Sequence, residues 1–266
     1  MKINHKLYLG DCIKILDTLE KKSIDLVVTS PPYNVNLGFN KYNSSSYDVY
    51  SDNKEHEEYI LWLKKIFCII YKKLKKGGRV CINIGDGKNG ACPTHSDIIQ
   101  FMVKEIGYIP YSVIIWNKSQ IGNRTSWGSW KSPSCPSFPT PFEYILIFAK
   151  KTKKLRGIGE TDLSEKEFID WSLAVWNIAP ETKMKEYGHP AMFPVELPIR
   201  LIKMLSWKGA VVLDPFNGAG TTGVACKLLG RSYIGIELSE AYYNISLSRF
   251  KKIDKILRRQ KYRLFP

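Results

Sequence analysis

The chain contains no apolar run approaching the roughly 18 residues that a membrane span requires. Its longest, such as 144–149, are strand-sized, which argues against a membrane protein. The opening stretch MKINHKLYLGDC has no apolar centre, so no secretory leader is expected there. The cysteines at 12, 68, 81, 92, 135 and 226 include no C-x-x-C pair, which argues against a zinc ribbon or a redox dithiol. Cys68, Cys81 and Cys226 lie in apolar runs and read as buried thiols of a reducing cytoplasm. The four histidines, at 5, 56, 95 and 189, form no H-x-x-x-H pair, and no metal site is expected. Acidic residues are in deficit: 25 Asp and Glu face 40 Lys and Arg, a net charge of +15. A chain this basic is expected to meet a polyanion, either nucleic acid or an anionic membrane face. The remainder is ordinary for a globular protein, 44% hydrophobic and 24% charged over 266 residues. That excludes a wholly disordered or collagen-like chain and leaves room for one sizeable core.

Short β-branched runs alternate with helical stretches. Strands are expected at 6–9, 24–29, 79–84, 111–116, 144–149, 210–213 and 232–236, and helices at 13–19, 55–74, 95–106, 194–205, 222–229 and 240–259. In the second helix Ile60, Leu61, Leu63, Lys64, Phe67, Ile70, Tyr71 and Leu74 recur near the helical period, which predicts one apolar face. Strand–helix alternation predicts an α/β fold with a mostly parallel sheet. No helix separates the strands at 111–116 and 144–149, so the second is expected to run antiparallel, after a long loop at 117–142. Residues 34–53, polar with four tyrosines or phenylalanines, read as a loop after a strand end. Residues 150–188 read as a small inserted substructure. The tail at 249–263 carries eight Lys and Arg against one Asp, a solvated helix face or a contact with nucleic acid.

Two motifs carry chemistry. The first is Thr29-Ser30-Pro31-Pro32-Tyr33-Asn34, directly after an apolar strand. Ligands of open α/β sheets bind at the carboxyl ends of strands. Two successive prolines fix the backbone and remove two N–H groups, leaving carbonyls as acceptors. A serine hydroxyl and a flat tyrosine ring beside them suit a planar –NH2 group. The second motif is Asp214-Pro215-Phe216-Asn217-Gly218-Ala219-Gly220-Thr221-Thr222-Gly223, a strand running through a glycine turn into a helix. Glu237 follows Gly218 by 19 residues, at the end of the next strand, where a carboxylate can accept both hydroxyls of a ribose. Gly218, Gly220 and Gly223 also satisfy the dinucleotide pattern G-x-G-x-x-G, which by itself admits a nicotinamide-dependent dehydrogenase. Position argues against that rival: only 43 residues follow Gly223, too few for the strands a dinucleotide fold places after its glycine loop.

Together, in this order, the motifs resemble those of the permuted (β-class) S-adenosylmethionine-dependent DNA amino-methyltransferases. In that family a tetrapeptide Asp/Asn/Ser-Pro-Pro-Tyr/Phe precedes the cofactor loop, as Ser30-Pro31-Pro32-Tyr33 precedes Asp214–Gly220 here. The likeness spans nearly the whole chain, including Gly10-Asp11-Cys12 and His189-Pro190-Ala191-Met192-Phe193-Pro194. It implies a Rossmann-like methyltransferase fold: a seven-stranded, mostly parallel sheet with one antiparallel strand. Residues 1–149 would form the catalytic half, 150–188 a target-recognition insertion and 189–266 the cofactor half with its basic helix. Glu237 would hold the ribose, and Asp11 would lie near the adenine or cap the first helix. Phe216, Gly218, Gly220 and Thr221 would line the methionine end with Asp214 as an orienter. His189 and Phe193 would close the pocket, with Cys12, Pro190, Thr222 and Leu238 beside them.

The resemblance also implies a reaction. Ser30 and the Pro31 carbonyl would accept both N–H bonds of an exocyclic amine, freeing its lone pair for in-line attack on a sulfonium methyl. A Ser hydroxyl could also donate to the neighbouring ring nitrogen. The nucleotide of double-stranded DNA must be flipped out, and Tyr33 would stack on it. Methylation at carbon 5 of cytosine would need a Pro-Cys nucleophile, and the chain has no Pro-Cys dipeptide. Serine in the first tetrapeptide position points to N4 of cytosine, with N6 of adenine as the alternative. Asn34, Arg124, Trp127, Trp130 and Lys131 are the expected DNA contacts. A homodimer, a cognate restriction endonuclease and a cytoplasmic, nucleoid-associated location fit the family. The rivals are an RNA or protein-amide methyltransferase and a DNA-binding module without catalysis.

Overall fold

The computed structural model describes residues 3–35, 48–50, 53–87, 90–118, 128–182, 184, 187–189 and 191–264, with side chains placed as far as residue 257. Among the described residues eight strands form one sheet: β1 (His5–Leu9), β2 (Ile24–Thr29), β3 (Leu74–Ile84), β4 (Ile109–Asn117), β5 (Phe142–Ala149), β6 (Val175–Asn177), β7 (Val211–Asp214) and β8 (Ser232–Glu237). Their order is β1-β8-β7-β2-β3-β5-β4-β6. Only β5 runs against the others, pairing antiparallel with both β3 and β4. The expected antiparallel strand is therefore present. The expected count of seven is one short, because β6 has three residues, too few to show an alternation. β6 lies in the stretch read as an insertion, yet it extends the sheet edge beside β4 and buries Trp176.

The helices are α1 (Cys12–Thr18), α2 (His56–Lys73), α3 (Thr94–Gln100), α4 (Glu165–Trp171), α5 (Glu196–Leu205), α6 (Thr221–Leu228) and α7 (Glu240–Leu264). The expected helix at 95–106 is divided: after α3 the chain widens into a π turn over Phe101–Ile106. The α4 helix went unread in the sequence; a capping box between Ser164 and Glu167 starts it. The apolar stripe of α2 is also shifted. Tyr59, Leu63, Ile66, Phe67 and Ile70 are buried, while Leu61 faces solvent.

Alternation along the strands divides the core in two. Val27 packs under α1, α2 and α3, whereas its neighbours Leu26 and Val28 pack against α5 and α6 on the other face. From β2 the chain moves through α2 to β3 on one side. From β7 it moves through α6 to β8 on the other. β2 and β7 are adjacent and parallel, so the crevice outside their carboxyl ends is the topological switch point of the sheet. Cys81 and Cys226 are buried as expected, but Cys68 is half-buried.

Candidate active site

Both motifs end at that switch point. Ser30 to Tyr33 leave β2 where Asp214 leaves β7, and the Thr29 hydroxyl donates to Asp214 Oδ1 at 2.6 Å. The same oxygen accepts the Phe216 N–H at 3.1 Å. Burial pushes the Asp214 carboxyl up to about 6, against the bonds from Thr29, Thr222 and Phe216 that favour its charged form. One cavity of about 330 Å³ opens over this joint, lined by all four tetrapeptide residues on one side and by Pro215 to Ala219 on the other. That is the size of a small-molecule site.

On the glycine-turn side, Gly218 (φ +50°) and Gly220 (φ +80°) adopt the left-handed backbone that lets α6 begin. The Gly218 N–H donates to Glu237 Oε2 at 2.6 Å, and the Ser239 N–H donates to Oε1 at 2.9 Å. Burial raises the Glu237 carboxyl, while those two amides hold it in place and leave it lone pairs for a ligand. A Cβ on Gly218 would lie 2.8 Å from His189 Nε2, so this glycine is required where the imidazole closes over the turn. Burial lowers His189 to about 4, which keeps it neutral. Burial also pushes the Cys12 thiol up to about 12. Asp11 lines the cavity and also caps α1, accepting from the Lys14 N–H at 3.0 Å. Phe193, Phe216, Thr221 and Leu238 complete the wall.

Two expected cofactor residues do not reach the cavity. Gly220 packs against Ser246 and Phe250 of α7. Thr222 is fully buried beneath, bonded to the Val28 carbonyl. The close approach that Gly220 permits here is that of α7. Pro190 lies outside the described residues.

On the tetrapeptide side, the structure assembles a network that the motif does not contain. Ser30 Oγ donates to Tyr33 Oη at 3.1 Å, and Tyr33 Oη donates to Glu143 Oε2 at 2.8 Å. Asn83 Nδ2 donates to both Tyr33 Oη and Glu143 Oε2, each at 2.7 Å. Lys118 pairs with Glu143 Oε1 and lies over the Trp116 ring. Asn83, Trp116, Lys118 and Glu143 all line the cavity. Of the two proline carbonyls, that of Pro32 already accepts from Tyr59 Oη at 2.6 Å. Because the Ser30 hydrogen is committed to Tyr33, the expected donation from Ser30 to a ring nitrogen is not available in this arrangement.

A signal for Glu143 existed in the sequence. β5 runs backwards, so its first residues, not its last, arrive at the active edge. Another overlooked residue is Arg249, in the basic tail. It is buried and donates to the Ala219 carbonyl at 2.6 Å and to Thr221 Oγ1 at 3.1 Å, bracing the glycine turn. Its guanidinium also lies over the Tyr187 ring.

The expected DNA contacts are spread out. Asn34 (φ +57°) spends its amide on Lys54, donating to its carbonyl and accepting from its N–H, and so ties the two ends of the loop together. Trp130 and Lys131 are exposed on a turn, the ammonium above the indole. Arg124, Trp127 and most of the loop at 34–53 lie outside the described residues. The returning end of that loop reaches the site: Asp48 accepts from Ser239 Oγ at 2.6 Å, and Tyr50 packs on Trp62, which packs on Phe216.

A mostly parallel sheet with one reversed strand, a glycine turn answered by a carboxylate and a proline corner at the same switch point define a Rossmann-like, S-adenosylmethionine-dependent methyltransferase. Comparison with known proteins narrows the class. The chain belongs to the DNA methylase family N6_N4_Mtase, which matches residues 24–248. It is 37% identical over 184 residues to the type II methyltransferase M.MjaVI of Methanocaldococcus jannaschii, covering 68% of this chain and 90% of that one. It is 35% identical over 274 residues to M.MjaI of the same organism, covering 90% and 88%. TTHA0409 of Thermus thermophilus, solved in complex with S-adenosyl-L-methionine, superposes with a TM-score of 0.72 at 29% identity, covering 94% of each chain. The protein is a site-specific DNA methyltransferase of the N4/N6 family, and S-adenosylmethionine is its cofactor.

The residues present fit that cofactor. The Glu237 carboxylate offers acceptors to a diol, and Phe216, Ile236 and Leu238 offer an apolar wall. When bound, the cofactor supplies an electrophilic methyl group on a sulfonium centre.

Proposed function

We propose that this is a DNA (cytosine-N4)-methyltransferase of the permuted β class, acting on a cytosine flipped out of duplex DNA. The observation that carries the reading is the serine-headed tetrapeptide sharing one cavity with the glycine turn. Ser30 Oγ and the Pro31 carbonyl accept the two N–H bonds of the amine. That aligns the lone pair instead of leaving it delocalised into the ring, and most of the catalysis is positioning and preorganised hydrogen bonding. Tyr33 stacks on the flipped base, worth about 1–3 kcal/mol. Asp11, Cys12, His189, Phe193, Asp214, Phe216, Gly218, Thr221, Glu237 and Leu238 hold the cofactor, and Arg249 braces them. Trp130 and Lys131, with Arg124 and Trp127, contact the DNA.

Several features support the wider setting. The net charge of +15 suits a polyanionic substrate. The type II relatives favour a cognate restriction endonuclease as a partner, and a DNA substrate would place the protein at the nucleoid. The decisive experiment is methylome sequencing of a methylation-free host expressing the chain, followed by nucleoside mass analysis of labelled duplexes. N4-methylcytosine is the expected product. N6-methyladenine as sole product would replace the base in this proposal and leave the amine chemistry intact.

A further inference from the structure

We propose that Ser30, Tyr33 and Glu143 form a proton relay that removes the hydrogen lost by the target amine. The inference rests on the reading that an extruded base sits against the tetrapeptide, and it holds for either exocyclic amine. An amine that gains a methyl group must shed one proton, and the reading above leaves that proton without a destination.

The polarity of the network supplies one. A phenol has one hydrogen and two acceptor positions. The Glu143 carboxylate, buried and paired with Lys118, can only accept, so Tyr33 donates to it. Tyr33 Oη then accepts from Asn83 Nδ2 and from Ser30 Oγ. The Asn83 amide is oriented by the same carboxylate, to which its Nδ2 also donates. The two hydroxyl bonds therefore point from Ser30 toward Glu143, and the serine presents lone pairs to the base.

The step balances as a concerted shift. The amine N–H bond breaks as a new O–H bond forms on Ser30. The original Ser30 O–H breaks as one forms on Tyr33, and the Tyr33 O–H breaks as one forms on Glu143 Oε2. One proton moves from nitrogen to the carboxylate, both hydroxyls are regenerated, and Glu143 returns the proton to water as product leaves. Lys118 is a positioning residue: it holds Oε1 so that Oε2 faces the tyrosine.

The variants Tyr33→Phe and Glu143→Gln test this. Tyr33→Phe keeps the stacking ring and Glu143→Gln keeps the shape. Three quantities are measured: single-turnover methyl transfer in light and heavy water on a duplex carrying the mapped site, fluorescence of 2-aminopurine placed beside the target base, and calorimetric binding of S-adenosylmethionine. The relay predicts a loss of about 10²-fold in transfer rate in each variant, within the range for positioned proton transfer. It also predicts little further loss in the double variant, because the two residues act in series. The wild-type solvent isotope effect should vanish in both, with base extrusion and cofactor affinity unchanged. Wild-type rates in both variants overturn the relay, as does an isotope effect that survives in them or is absent from the wild type. Loss of the extrusion signal with the isotope effect intact would make the network a mere anchor for the ring. If the wild-type protein extrudes no base and methylates no amine, the functional reading itself fails, an outcome separate from these.

Discussion

The hydroxyl of Thr29 and the carboxylate of Asp214, 185 positions apart in the chain, share a 2.6 Å hydrogen bond at the seam between β2 and β7. Each residue ends its strand and opens one of the two motifs. The bond therefore sets how the tetrapeptide and the glycine turn face one another across the cavity. It is buried on both sides, so neither partner has water as an alternative.

Thr29→Val, which keeps shape and removes the donor, should destabilise the protein by about 1–3 kcal/mol, the cost of a buried carboxylate oxygen losing one of its two donors. Thr29→Ser should recover most of the loss. Urea unfolding of the three proteins checks this, and a Val variant as stable as the wild type would show that the seam is held by packing alone.

Burial raises the Asp214 carboxyl from 3.8 to about 6, so between those values the folded chain holds a proton that the unfolded chain has lost. The native state is then favoured at the low end, and that advantage disappears as pH rises through about 6. Stability of the wild type relative to Asp214→Asn should fall across this window and level off above it. Denaturant titrations at a series of pH values read the slope directly, and parallel curves would contradict the burial argument.

Gly223 tolerates no side chain. A Cβ there would lie 2.1 Å from Phe250 Cζ and 2.7 Å from Tyr233 Cε1. Gly223→Ala should cost about 1–3 kcal/mol through overpacking between α6 and α7. Phe250→Leu in the same chain should return part of it, a coupling that thermal denaturation of the double-mutant cycle measures.

Glu237→Gln keeps an acceptor for one backbone amide but removes the charge. If the carboxylate holds the ribose, affinity for S-adenosylmethionine should fall about 10- to 100-fold, the worth of a charge-assisted hydrogen bond. Isothermal calorimetry on the DNA-free protein gives the number, and an unchanged affinity would remove Glu237 from the cofactor site.

Much of the fold can be read from local pattern. All seven expected strands are present, because each is a short run of apolar, β-branched or aromatic residues bounded by turn residues. The reversed strand shows itself through the lack of a helix between β4 and β5. Elements without a run of their own escape: β6 has three residues, and α4 is an exposed amphipathic turn with no buried residue. The stretch at 150–188 is likewise joined to the rest of the chain by pairs that no local pattern carries, among them Asp162 with the fully buried Arg231.

The amino-acid sequence alone determined the two motifs and their order, because Pro-Pro and Gly-x-Gly act on their own backbone within a few residues. It determined, too, that a carboxylate would end the strand after the glycine turn. Tertiary structure decided which side chains stand opposite Ser30. Asn83, Lys118 and Glu143 come from three different strands or their ends, and they meet only because β5 is inserted antiparallel between β3 and β4. Strand register and direction are settled by packing across the whole sheet, so the partners of the tetrapeptide emerge only when the sheet is complete.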